Sequence, residues 1–390
     1  MSTRTPQFIN SVAEKAADLV AVKAVAFLRD QPVLTIAALA AAASMFAVPP
    51  SAAYLEYLDV RVLGLLFCLM LCVSGLQRAN LFSFIASKFL SGERSVRFVS
   101  LVLVLLCFFS SMFVTNDVAL IALVPFTLFL FTVARQAERI ALVVVLQTLA
   151  ANLGSMVTPI GNPQNLFLFA HFESDLVPFM LVLAPYAVLS LVLLVACSVA
   201  LGKPGRMKAQ LDPASSKLQT KPAVAFVLLF IVAALTVAKV IPLLPAMALI
   251  AIGALVFDRG AFRKVDYFLL LTFVCFFVFS GNLANIPWLQ QVLSDLMGQA
   301  PFAASLVASQ FISNVPSAVL LAPFTTDWQQ LLLGVDIGGL GTPVASLASL
   351  ISLELYRRAR VGSTSRFLLL FAVLNIAFLA ANIGLYLLLS

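Results

Sequence analysis

Charge is scarce in this chain. Only 11% of its 390 residues are Asp, Glu, Lys or Arg, 62% are hydrophobic, and the mean hydropathy is +1.07. A soluble globular chain carries about 25% charged residues. Too little polar surface exists to cover this one, which excludes water as its main solvent. The chain has one histidine and five cysteines (Cys68, Cys72, Cys107, Cys197, Cys275), every cysteine inside an apolar run and none in a Cys-x-x-Cys pair. A disulfide scaffold is therefore excluded, and the cysteines read as buried small hydrophobes. The sequence offers no intramembrane His/Glu metal cluster, Ser/His dyad or nucleotide loop, so it is not expected to be an enzyme. Its net charge of +7 is scattered over short loops. It lacks the basic stripe and interleaved aromatics of a nucleic-acid surface.

Apolar runs fill the space that charge leaves. A helix needs roughly 20 mostly apolar residues to cross the hydrocarbon of a bilayer. Runs near 32–50, 60–77, 140–170, 176–202, 222–238, 243–257, 267–281, 331–355 and 367–389 predict an all-α polytopic membrane protein with about nine full spans. Residues 1–31 mix charges with apolar residues at helical spacing and read as a cytoplasmic amphipathic segment, not a cleavable signal.

Two more runs, 98–134 and 301–326, are interrupted at their centres by polar residues. Lys and Arg favour cytoplasmic loops. Arg94 and Arg97 precede the first run, and Arg135 and Arg139 follow it, so both its ends are cytoplasmic and it enters and returns as a re-entrant hairpin. The second run lies between Asp295 and Asp327, without nearby cations, and dips in from the opposite face. With the N-terminus cytoplasmic and the C-terminus external, all 24 Lys and Arg except Arg61 and Lys239 fall on the cytoplasmic side.

The chain also repeats itself. Residues 114–127 align with 312–325, 154–159 with 338–343, and Ser74-Gly75 with Ser280-Gly281. Residues 32–202 and 222–390 each run span, hairpin, broken span, and the basic linker 203–221 joins them. An inverted repeat of this kind places a substrate near the midplane, between broken helices.

The polar interruptions supply the candidate ligands. Residues 152–165 hold two prolines, two glycines and three asparagines, a composition that is costly in hydrocarbon unless its backbone lines a cavity. Asn152, Ser155, Thr158, Asn162 and Asn165 are the candidates there, and Asp336, Gly338, Gly339 and Thr342 in the matching stretch. Thr115, Asn116 and Asp117, and Ser313 and Asn314, occupy the hairpin tips. Half-helix N-termini favour an anion there, and C-terminal ends a cation. Helix capping alone is the plainer account of these side chains. Asp117 and Asp336 are the only acids predicted deep in the hydrocarbon, where a carboxylate marks an ion or proton path. With Asn152 they are the expected cation or proton couplers. No Lys or Arg is expected at mid-depth, so a multivalent anion would need co-bound cations or helix dipoles. His171 and Glu354 read as interface residues, the latter partnering Arg357 and Arg358, and Trp288 and Trp328 as belt aromatics.

These motifs resemble the ion transporter superfamily, which includes divalent-anion/sodium symporters, arsenite permeases and NhaD-type sodium/proton antiporters. The string from Gly154 to Leu166 looks especially like the YbiR-like anion permeases. The resemblance covers residues 32–390. It implies a homodimer in a bacterial inner membrane, a scaffold with a mobile transport domain moving as an elevator, and one cation site at each hairpin tip. The symporters carry Ser-Asn-Thr at each tip. Here Thr115-Asn116 is followed by Asp117 and Ser313-Asn314 by Val315. An acid after the tip asparagine is more like the arsenite and antiporter branches, whereas Gly161-Asn162-Pro163-Gln164-Asn165 leans towards anions. The expectation is an ion-coupled secondary transporter of a small anion, driven by sodium or protons and needing no cofactor beyond bound sodium. A sodium/proton antiporter, an arsenite efflux carrier and an anion channel are the alternatives.

Overall fold

The computed structural model describes residues 31–90, 92–200, 206–209 and 217–390. Residues 1–30 of the amphipathic segment, residues 91, 201 and 202 of the first repeat, and 203–205 and 210–216 of the linker lie outside them. The first helices are α1 (Pro32–Ser44), α2 (Val60–Arg78), α3 (Leu81–Leu90), α4 (Val96–Ser111) and α5 (Asn116–Val133). Then come α6 (Ile140–Ser155), α7 (Pro163–His171), α8 (Leu176–Ala200), α9 (Thr220–Val237), α10 (Leu243–Phe257) and α11 (Tyr267–Ala284). The last six are α12 (Pro287–Gln299), α13 (Pro301–Ile312), α14 (Asn314–Leu321), α15 (Trp328–Ile337), α16 (Leu347–Ala359) and α17 (Thr364–Leu389). Five of them start after a residue whose side-chain oxygen accepts a first-turn N–H: Asp59, Ser95, Asp266, Asp327 and Ser363. Such caps satisfy donors that a helix start leaves open.

Among the described residues, seven helical segments are long and apolar enough to cross a membrane: α2, α5, Ala137–Ser155, α8, α9, α11 and α17. The protein is an α-helical, multi-pass membrane protein. α1, α4, α10, α13 and the segment Asn314–Phe324 are apolar but shorter. One feature is too short to carry a readable period in the sequence. Gly92–Ser95 (β1) pairs antiparallel with Arg206–Ala209 (β2), Gly92 opposite Ala209. Among the described residues all five cysteines are free, and Cys68, Cys72 and Cys107 are buried.

Contacts divide the chain into two compact units, residues up to Leu58 with Asp266–Ile286, and Asp59–Val265 with Pro287–Ser390. In the smaller unit α1 packs on α11. The Asn282 Nδ2 donates to Ser44 Oγ at 2.9 Å and to the Tyr54 hydroxyl at 2.8 Å. A Cβ at Gly281 would lie 2.5 Å from the Tyr57 ring, and one at Gly75, in the larger unit, 2.2 Å from Phe226. Each glycine of the repeated Ser-Gly pair thus seats an aromatic ring.

In the larger unit α6 is buried on every side, all of its residues except Leu142 being buried. A helix apolar all round belongs in such a place, yet α6 carries Gln147, Thr148, Asn152 and Ser155 there. At the loops, Arg78 grips Asp258 through two bonds, Nε to Oδ2 at 2.6 Å and Nη2 to Oδ1 at 3.1 Å. Hydrogen bonding from Arg78 holds the Asp258 carboxyl below its ordinary pKa. Its contribution to stability is therefore present above the ordinary carboxylate range and is lost as pH falls through the lowered value. Arg78→Gln is expected to cost about 0.5–1 kcal/mol at neutral pH. Thermal melts at stepwise lower pH should show that difference closing; a constant difference would count against the pair. Glu354 bonds Arg357 and Arg358, each at 2.6 Å, as the sequence predicts.

Candidate functional site

Four interruptions of the helices, all in the larger unit, build the site. α6 stops at Ser155 because Pro159 cannot donate to the helical ladder, and α7 restarts with Pro163 at its first position. Between them the chain folds back so tightly that a Cβ on Gly161 would lie 2.1 Å from the Ser155 carbonyl oxygen. The freed backbone groups find partners nearby. Asn165 Nδ2 donates to the Met156 carbonyl at 2.9 Å and the Thr158 carbonyl at 3.4 Å. The Asn116 N–H donates to the Gly161 carbonyl at 3.2 Å, and Thr158 Oγ1 donates to the Met112 carbonyl.

The second pair of interruptions separates α13 from α14 and α15 from α16. Gln310 satisfies the latter break: its Nε2 donates to the carbonyls of Gly338 (2.7 Å) and Leu340 (2.9 Å), and its Oε1 accepts from the Thr342 N–H at 3.1 Å. Thr342 Oγ1 donates to the Gln310 carbonyl at 3.0 Å. At the other break Ser313 has φ 74° and ψ 155°, a region that only glycine occupies freely and that costs about 1–3 kcal/mol. Its hydroxyl lies 3.3 Å from the Ala345 carbonyl and 3.4 Å from Asn314 Oδ1. Ser313→Gly is expected to raise the stability by about 1–3 kcal/mol, while Ser313→Ala gives no such gain. Equal melting temperatures for the two variants would show that the backbone is not strained.

Side chains from the four breaks meet. Asn152 Oδ1 accepts from Asn116 Nδ2 and from Ser346 Oγ, both at 3.0 Å. Asp336 Oδ1 accepts from Gln164 Nε2 at 3.0 Å. A Cβ at Gly339 would lie 2.9 Å from Asn314 Nδ2, so the backbone there approaches the Asn314 amide closely. Several buried atoms have no hydrogen-bond partner: the acceptors Asp336 Oδ2, Asn162 Oδ1 and Asn165 Oδ1, and the donor Asn152 Nδ2. A buried polar atom left unpaired costs about 1–3 kcal/mol. Orphaned acceptors suit a cation or proton, and an orphaned donor suits an anion.

Not every candidate is equally placed. Asn116, Asn152, Asn162, Asn165, Ser313, Asn314 and Asp336 are buried. Thr115 and Asp117 are half-buried, and the Asp117 N–H donates to Asn116 Oδ1 at 2.9 Å. The hydroxyls of Ser155, Thr158 and Thr342 bond backbone carbonyls, and Thr342 is exposed. The Gly338 carbonyl is held by Gln310. Sequence reasoning did not single out Gln164, Ser346 or Gln310. The first two lie inside the broken stretches and were visible there as polar residues; Gln310 sits in an apolar run without a signal of its own.

The two sets of breaks correspond in detail. Thr158 bonds the carbonyl four residues before Asn116, and Thr342 the carbonyl four residues before Asn314. Gly154 abuts Phe108 and Ser111, eight and five residues before Asn116. Gly338 abuts Leu306 and Ser309, eight and five residues before Asn314.

Comparison with known proteins places the chain among membrane transporters. An uncharacterized transporter of Methanocaldococcus jannaschii is 32% identical over 315 residues, covering 80% of this chain and 84% of that protein. Inner membrane protein YbiR of Escherichia coli K12 is 31% identical over 301 residues, 75% of this chain and 79% of its own. The silicon efflux transporter LSI3 of Oryza sativa subsp. japonica matches only 33% of this chain, at 30% identity. With residues 24–348 matching the family model and both long alignments leading to transporters or their inner-membrane relatives, this chain belongs to the citrate transporter family and is a membrane transporter, not an enzyme.

Proposed function

We propose that the protein is an ion-coupled secondary transporter that moves a small anion across a bacterial inner membrane by elevator-type alternating access, as a homodimer. One observation carries this reading. α4, α6, α13 and α15 end, and α5, α7, α14 and α16 begin, at a single hydrogen-bonded cluster. Helix starts present positive dipole ends to an anion, and helix ends present carbonyls to a cation. The cluster therefore accommodates both charges without a Lys or Arg. Asn116, Asn314 and the adjoining backbone hold the anion, and Asp336 and Asp117 carry the sodium ion or proton; Asn152, a cation coupler by the sequence reading, joins the anion ligands because its buried Nδ2 donor has no partner. The family's description makes a carboxylate such as citrate the first substrate to try.

The paired Thr and Gly contacts support an inverted repeat, with α4–α5 and α13–α14 as re-entrant hairpins of opposite sense. α5 alone is long enough to cross a bilayer; the basic residues at both ends of 98–134 favour its return to the side it came from. The same charge pattern puts the N-terminus in the cytoplasm and the C-terminus outside.

Purified protein in proteoliposomes tests the reading directly. Anion uptake should saturate and follow an imposed sodium or proton gradient, and Asp117→Asn should abolish it while the melting curve keeps its shape. Single-channel currents would overturn the carrier. A sodium/proton antiporter remains the second reading, favoured by the two acids at the cluster; it fails if an anion stabilises the protein in a thermal-shift screen.

A further inference from the structure

Away from the cluster, the larger unit carries a wide groove of about 920 Å³ between α3, α4, α5 and α9. Among its lining side chains only Ser110 has a polar atom, and that hydroxyl bonds the Cys107 carbonyl at 3.4 Å. Nothing in the wall asks for a polar ligand. The wall is also reachable: Phe109, Phe113 and Ile231 are about half exposed.

We propose that this groove holds an acyl chain of an anionic phospholipid. Its length fits. From Val102 to Ser110 the α4 wall rises about 12 Å at about 1.5 Å per residue, most of the roughly 15 Å that half of a bilayer's hydrocarbon spans, and Phe113 and Val114 extend the wall beyond the helix end. Its charge fits too. Phe98, Val102, Leu105 and Phe109 follow one another at four-, three- and four-residue steps on one face of α4, and Arg94 lies 5.6 Å over the Phe98 ring. Arg94 is exposed, and its position over Phe98, one turn before the groove residue Val102, sets it at the α4 start of the groove, where a headgroup phosphate would meet it. Basic residues beside clefts between membrane helices select anionic headgroups. This inference goes beyond the transport cluster and does not depend on which ion or anion is carried.

The test uses the full chain purified in detergent, with phosphatidylglycerol or phosphatidylcholine added and retained lipid counted by native mass spectrometry. Phosphatidylglycerol should be retained and should raise the melting temperature more than phosphatidylcholine. Ala234→Trp, which fills the groove, should remove that difference. Arg94→Gln, an exposed change that leaves the packed interior alone, should weaken retention about fivefold. Equal retention of the two lipids, or full phosphatidylglycerol retention in both variants, would overturn the proposal. So would a change in oligomeric state caused by Ala234→Trp alone, because the groove would then seat a second copy of this chain.

Discussion

Asp336→Asn is expected to reduce gradient-driven uptake to background while the protein remains folded. The substitution keeps an oxygen to accept from Gln164 Nε2, which now bonds Asp336 Oδ1 at 3.0 Å, and removes a buried group that can ionise, whose Oδ2 makes no well-formed hydrogen bond. Burying an ionised carboxylate without full pairing is expensive. Stability should therefore hold or rise, by up to about 1–3 kcal/mol, as transport is lost. Asp336→Leu makes the useful contrast. It strands the Gln164 amide and should lower stability by about the same amount. Melting curves and proteoliposome uptake, measured on both variants, separate the two effects. An Asp336→Asn protein that still couples uptake to a sodium or proton gradient would take this carboxylate out of the mechanism.

The breaks that build the site were legible because helix-breaking residues cannot be hidden in an apolar span. Pro159, Gly161 and Pro163 announce the first interruption, and Gly338, Gly339, Gly341 and Pro343 the second, where the helices do stop. The long uninterrupted runs α2, α8, α9, α11 and α17 were equally legible from their composition. What joins one interruption to another was not. Ser346 reaches Asn152 across 194 residues and Gln164 reaches Asp336 across 172; such pairs obey no periodicity, since only the tertiary packing brings them together. The strained Ser313 gave no warning either, because a glycine would advertise its backbone and a serine does not. The ribbon pairing β1 with β2 consists of two four-residue strands; β1 has no apolar side chain, and the alternation of Met207 and Ala209 with Arg206 and Lys208 in β2 is too short to mark a strand.

Asn152→Ala is expected to be the most destabilising single change at the cluster, because one oxygen serves two donors from distant parts of the chain. Asn116 Nδ2 and Ser346 Oγ both point at Asn152 Oδ1 from 3.0 Å, and Asn116 and Ser346 are themselves buried. Removing the acceptor leaves two buried donors open, at about 1–3 kcal/mol each, so the loss should reach roughly 2–6 kcal/mol. Uptake should fail with it, since Ser346 is the residue after Ala345, whose carbonyl lies beside the Ser313 hydroxyl. The chain of contacts from Asn116 to Ser313 thus runs through Asn152. Asn152→Asp retains the acceptor and should recover much of the stability without recovering normal coupling, because it adds a charge where the chain has a neutral amide. A double-mutant cycle between Asn152→Ala and Ser346→Ala should give an interaction energy of about 0.5–3 kcal/mol. Strictly additive losses would mean that Ser346 and Asn152 do not act together, and would leave the Gln164–Asp336 bond as the side-chain contact to test next.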